Sequence, residues 1–166
     1  GRLRRHKGDV LMWARAKIGL LTALLTISHA CVNFGAAAEK PRRVVSLNLC
    51  TDQLVLQLAV RVHVASVTYL ARDPVISHVA ELTEGIHINY GMVEEVLPLQ
   101  PDLVLAGSYT TRSTTYLLSR FGIRVLVIEP ANSLAEAIRT VEIVAEALGE
   151  PEKGADAVQK INYAAA

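Results

Sequence analysis

The sequence predicts an α/β fold, a mainly parallel sheet flanked by helices. Three observations carry that expectation. From Arg43 onward, β-branched and aliphatic segments alternate with segments of helical periodicity. The run Leu103-Val-Leu-Ala106 is apolar without a break, the pattern of a strand covered by helices on both faces. Strands separated by helices imply right-handed crossovers, and so parallel neighbours.

The elements follow in order. Arg43-Val-Val-Ser-Leu-Asn-Leu49, after Pro41, is expected to be the first strand. Thr51 or Asp52 is a good N-cap for a helix that buries Leu54, Val55 and Leu58 and ends near Val60. Val62 to Tyr69 is a second strand. Asp73-Pro74 opens a short helix, with proline at an early helical position. Gly85 to Tyr90 is a short third strand. The stretch Gly91 to Tyr109 then holds a short helix, a turn, a strand and a loop. Val93, Val96 and Leu97 recur at helical spacing with Glu94 and Glu95 opposite, and Pro98 keeps the helix short. Pro101 sets the turn into the apolar strand, and the loop after Gly107 lies at that strand's C-terminal end, where open α/β sheets bind ligands. Thr111 to Phe121 is expected to be a helix with Tyr116, Leu117 and Leu118 inward, ending at Gly122. Arg124 to Pro130 is a further strand. Ser133-Leu-Ala-Glu136 is a capping box, with Leu134, Ile138, Val141, Ala145 and Leu148 at helical spacing behind it. Pro151 begins a last helical pattern through Ala155, Val158 and Ile161.

Charge divides the chain in two. Six of its 17 Lys/Arg but one of its 16 acids precede Glu39, which leaves 11 bases against 15 acids afterwards, a net −4. A mildly acidic body without a basic face excludes nucleic acid as an expected partner. Residues 1–38 have the pattern of a secretory signal peptide: a basic region to Lys17, an apolar run from Ile18 to Ile27, then Ala36-Ala37-Ala38 as an A-x-A cleavage site. His29, Asn33 and Gly35 break the apolar run short of the roughly 20 residues of a membrane span. Cys31 is a poor lipidation site because a histidine stands two places before it. Cleavage after Ala38 leaves Cys50 as the remaining cysteine, which has no intramolecular disulfide partner. The expected compartment is therefore the periplasm.

Three stretches together carry a family resemblance: Arg43 to Leu54 (RVVSLNLCTDQL), Glu94 to Gly107 (EEVLPLQPDLVLAG) and Gly122 to Pro130 (GIRVLVIEP). They resemble the substrate-binding proteins of ABC importers for vitamin B12, haem and iron–siderophore complexes, over roughly Pro41 to Ala157. The resemblance implies a bilobed monomer whose lobes are α/β sheets joined by one long helix, with ligand captured in the cleft between them. On that basis residues 39–150 are the N-terminal lobe and residues 151–166 the start of the bridging helix. The second lobe is absent, as in a fragment or a truncated gene product. The resemblance also implies an ABC permease as partner. Glu94, counted back from Pro101-Asp102, lines up with a glutamate that docks on permease arginines.

The candidate ligand contacts are Asn48, Cys50 and Thr51, Tyr69 and Arg72, Asn89, Tyr90 and Gly91, and Ser108, Tyr109 and Arg112, all at expected strand ends. Tyrosine offers a face for a corrin, porphyrin or catecholate and a hydroxyl at its tip. Arg112 suits a ligand carboxylate. The strongest bets are Tyr90 and Tyr109. No catalyst or resident cofactor is expected. Cys50 lacks the arginine that a phosphatase loop needs about six residues on, and reads as a partly buried structural thiol. There is no G-x-S-x-G elbow and no glycine-rich phosphate loop. His63, His78 and His87 lack paired metal-ligand spacing, so no metal site is expected. Two alternatives to a solute-binding protein are an exported single-lobe module or non-functional remnant, and an exported α/β enzyme. A Cys50 no more reactive than a buried thiol argues against the enzyme.

Overall fold

The computed structural model describes residues 39–110 and 112–166. The expected signal peptide and Cys31 lie outside the described residues. Five strands form one parallel sheet: β1 (Val44–Ser46), β2 (Val64–Thr68), β3 (His87–Asn89), β4 (Leu103–Gly107) and β5 (Arg124–Ile128). Their spatial order is β3-β2-β1-β4-β5. The chain starts at the centre, builds outward to β3, then returns beside β1 and builds the other way. The order therefore reverses between β1 and β4, which is the topological switch point of the sheet.

Alternation along the strands separates two cores. Leu103 and Leu105 face one side with Val44, Val55 and Leu58, and Val104 and Ala106 face the other with Val45, Leu47 and Val96. Helix α1 (Leu49–Leu58) covers the first side, joined by α4 (Leu134–Ala147) and α5 (Pro151–Ala164). The single turn α2 (Val93–Val96), its 3-10 extension Leu97–Leu99 and α3 (Arg112–Arg120) cover the second. Because both faces are roofed, every residue of β4 is buried. The similar run in β5 is half-exposed, because β5 is an edge strand. A register shift between β1 and β2 pairs Val44 with Val64 but Val45 with Ser66, so Ala65 bulges from the ladder.

Three local expectations are corrected. Helix α1 begins one turn earlier than Thr51 or Asp52 would set it. Asn48 is the N-cap, its Oδ1 accepting from the Cys50 amide at 2.9 Å. No helix follows Asp73-Pro74. The Asp73 carboxylate accepts from the Val75 amide at 2.8 Å and its carbonyl from the Ser77 amide at 2.9 Å, a local side-chain turn that outcompetes the helix. Short 3-10 turns flank it at Tyr69–Arg72 and Ala80–Thr83. In α3, Leu118 is buried while Tyr116 and Leu117 are exposed. Three consecutive helical residues fan over about 200°, so one face cannot hold them all.

The capping expectation for α4 holds in modified form. Ser133 Oγ accepts from the Glu136 amide at 3.2 Å, and the Glu136 carboxylate reaches back to the Asn132 amide at 2.6 Å. Helix α5 is tied down at its start. Lys153 Nζ donates to the Leu58 carbonyl at 3.0 Å, at the C-terminal end of α1. Glu150 pairs with Lys40 at 2.5 Å, and the bond from Lys40 holds its carboxyl below the usual range.

Candidate functional site

Parallel strands bring five C-terminal ends to one side of the sheet, and the candidate contacts gather there. Tyr69 directly follows β2 and Tyr90 directly follows β3. Thr68 and Asn89 are register partners, so the two tyrosines leave the sheet at matching heights. Their rings stack, with centroids 5.1 Å apart and planes 22° from parallel. Both rings remain open to solvent, Tyr69 at 49% and Tyr90 at 66% exposure. Met92, two residues after Tyr90, is exposed as well. Aromatic pairs normally hide their faces in a core, so an exposed stacked pair is an apolar platform.

A second group lies beyond the switch point. Ser108 is half-buried, its amide donating to the Ile128 carbonyl at 3.1 Å, and Tyr109 is 88% exposed. Ser108 and Arg112 share a cleft of about 240 Å³ with Thr110, Thr115, Val127 and Glu129. Thr110 holds the loop, its Oγ1 accepting from the Gly107 amide at 3.0 Å. Gly107 permits a close approach across the switch point. A Cβ there would stand 2.7 Å from Asn48 Nδ2.

Other candidates are placed differently. Asn48 spends its Oδ1 on the cap of α1. Thr51 is fully buried, its hydroxyl donating to the Asn48 carbonyl at 2.9 Å and lying 2.7 Å from Ser46 Oγ. It faces the sheet rather than the open surface. Cys50 is exposed, a correction to the partly buried thiol expected. The earlier helix start turns it outward. Arg72 is exposed, Gly91 half-buried and Asn89 fully buried.

Beneath these loops lies a polar layer that sequence reading did not assemble. Ser46, Thr51, Asp52, Ser66 and Asn89 are all inaccessible to solvent. Asp52 accepts from the Thr68 amide at 3.1 Å and the Thr68 hydroxyl at 2.5 Å. Asn89 Nδ2 reaches across β2 to Ser66 Oγ at 2.8 Å and the Ser46 carbonyl at 3.1 Å. Burial raises the Asp52 carboxyl above its ordinary range, and the bonds from Thr68 oppose that rise. The visible signal was the placement of small polar residues inside otherwise apolar strands.

Glu94 and Glu95 are now distinct. Glu95 accepts from the Tyr90 amide at 2.8 Å and the Met92 amide at 3.3 Å. Glu94 is exposed and makes no ion pair among the described residues. Among those residues no three His, Cys, Asp or Glu side chains converge as metal ligands, and no helix is long and apolar enough to cross a membrane. A cavity of about 450 Å³ lies elsewhere, between the C-terminal half of α1 and α5, lined by Leu54, Gln57, Lys153 and Ile161 among others. Helix α1 runs back from the strand ends, which puts this groove at the opposite end of the sheet.

Comparison with known proteins agrees with the α/β fold. An ABC transporter substrate-binding lipoprotein of Bacillus subtilis, YvrC, itself uncharacterised, is 29% identical over 139 residues, covering 82% of this chain and 43% of that protein. Among solved structures, a periplasmic heme-binding protein from Pseudomonas aeruginosa superposes with a TM-score of 0.64 at 19% identity, over 74% of this chain and 44% of that one. The heme-binding protein RhuT from Roseiflexus sp. RS-1 gives 0.63 at 24% identity, over 74% and 46%. The vitamin B12-binding protein BtuF of Vibrio cholerae gives 0.60 at 18%, over 74% and 48%. These likenesses establish the α/β fold, and the chain spans less than half the length of each. The model of the periplasmic binding protein family matches residues 44–166. That family consists of binding proteins rather than enzymes, and this chain belongs to it.

Proposed function

We propose that this chain is the ligand-facing lobe of an extracytoplasmic solute-binding component of an ABC importer, and that it takes an iron chelate, haem or cobalamin on the strand-end face. The observation that carries the reading is the exposed Tyr69–Tyr90 stack. A flat conjugated ligand gains from such a face, and tyrosine tips supply hydrogen bonds at its edge. Tyr109, Ser108 and Arg112 offer a second set of contacts, suited to a carboxylate-bearing edge. Cys50 lies exposed in the first turn of α1, while Asn48 and Thr51 hold the turn that leads into that helix. Residues 1–38 direct export to the periplasm, and α5 opens the helix that leads to a second, facing lobe.

Glu94 is the docking residue. Its neighbour Glu95 is engaged in local hydrogen bonds, which leaves Glu94 as the free acid of α2 to meet permease arginines. Reversing a docking charge acts mainly on the encounter rate and its salt dependence. Glu94→Lys is expected to slow capture by permease-bearing vesicles, most at low ionic strength. Equal capture by both forms at every salt concentration removes the assignment.

Ligand capture is tested by titrating the full chain with haemin, cyanocobalamin and a ferric catecholate, following tyrosine fluorescence. At least one is expected to saturate at one to one. Tyr90→Ala is expected to weaken it about 2- to 12-fold, the range for one aromatic contact of about 0.5–1.5 kcal/mol. Failure of all three to saturate overturns the reading.

A further inference from the structure

Exposed side chains on loops usually sample several rotamers, yet Tyr69 and Tyr90 are stacked at 5.1 Å. Each ring is the first residue beyond a buried anchor. Thr68 precedes Tyr69, and both its amide and its hydroxyl are held by the Asp52 carboxylate, at 3.1 and 2.5 Å. Asn89 precedes Tyr90. Its Nδ2 bonds Ser66 and Ser46, and its Oδ1 accepts from the Gly91 amide at 3.0 Å, which closes the turn around Tyr90. Both anchors are thereby referred to the same fixed frame, β1 and the first turn of α1. Ser66 is small enough for the Asn89 amide to cross β2 and reach the β1 carbonyl.

We propose that Asp52 and Asn89 are the positioning residues of the tyrosine pair: neither touches ligand, and together they set the direction in which β2 and β3 release the two rings. That the pair serves a ligand rests on the reading above. That Asp52 and Asn89 hold the pair stands on geometry alone. Solvation explains why the device is buried. A hydrogen bond sheltered from water holds its direction better than one in competition with solvent. Polar groups left unpaired at such depth are also strongly disfavoured.

The test needs a readout of the stack that does not depend on ligand. Near-ultraviolet circular dichroism of the full chain supplies one, with Tyr90→Ala as the baseline without the pair. Far-ultraviolet dichroism verifies folding in each variant. Asp52→Ala and Asn89→Ala are expected to lose at least half of the pair signal. Asp52→Asn keeps an acceptor for the Thr68 amide and a partner for its hydroxyl, and is expected to retain the signal. Haemin affinity, read from Soret absorbance, is expected to fall in the same order. Folded Asp52→Ala and Asn89→Ala with the full pair signal overturn the proposal, as does an Asp52→Asn that loses it as completely as Asp52→Ala. Should Asp52→Ala fail to fold, Asn89→Ala decides on the same signal. A parent chain that shows the pair signal but binds no haemin counts against haem as ligand and leaves the positioning result to be read from dichroism.

Discussion

Gly154→Ala is expected to destabilise the protein, although alanine is the better helix former. Gly154 is the buried residue of α5, at its crossing with α4. A Cβ at this position would stand 2.4 Å from the Ala145 Cβ. Neither atom can rotate away, because each is fixed to a helical backbone, so the helices must separate. Two effects oppose each other. Helix propensity favours alanine over glycine by about 1 kcal/mol. Overpacking a close contact costs about 1–3 kcal/mol, and here it wins. Gly154→Val adds volume and a β-branch at the same point and is expected to lose more, on the order of 3 kcal/mol. Urea melts of the full chain measure both. The compensating change Ala145→Gly, made in the Gly154→Ala background, returns the missing space and is expected to recover most of the loss. A coupling between the two sites below about 0.5 kcal/mol, or a Gly154→Ala variant more stable than the parent, contradicts the tight crossing.

Asp52 carries the second large effect. Asp52→Ala leaves the buried Thr68 amide and hydroxyl without partners, which costs about 1–3 kcal/mol for each buried group so stranded. Asp52→Asn separates charge from hydrogen bonding, and pH makes the difference visible. Burial is the leading cause of the raised Asp52 pKa, so folding shifts the balance towards the protonated acid relative to the unfolded chain. A raised folded-state pKa contributes stability that is complete below the unfolded value, about 3.9. It is lost as pH rises through the folded value. The parent chain is therefore expected to fall in stability relative to Asp52→Asn between about pH 4 and pH 7. Glu150, whose lowered pKa acts in the opposite sense, is common to both proteins and drops out of the difference. A difference that stays constant over this range, or one that moves in favour of the parent, contradicts a buried acid.

Much of the fold was legible because the pattern was set by burial. The run Leu103 to Ala106 reads as a two-sided strand, and so it is. The strand of Arg124 to Ile128 was legible too, but its place at the edge was not, since an apolar run does not say whether a strand is central or at an edge. Boundaries failed where side chains compete for the same backbone groups. Asn48, Thr51 and Asp52 are all good caps, and the choice among them depended on Gly107, 59 residues from Asn48, making room beside it. At Asp73 the carboxylate closed a turn that the following proline had suggested was a helix. The site was legible in its parts and not in its assembly. Tyr69 and Tyr90 were both expected at strand ends, but their stacking depends on β2 lying next to β3 in register. Thr51 and Asn89 were counted as ligand contacts, although polar residues at strand ends serve equally well as buried anchors, and these two are.

The central claim is that ligand meets the strand-end face rather than the larger groove between α1 and α5. Hydrogen exchange of the full chain with and without haemin tests it most directly, because amide protection reports position along the chain. The predicted result is slowed exchange in residues 69–72, 89–92 and 108–112, with the segments around Leu54–Leu58 and Lys153–Ile161 unchanged. Protection confined to those two helical segments, with the tyrosine loops exchanging as before, would contradict the account.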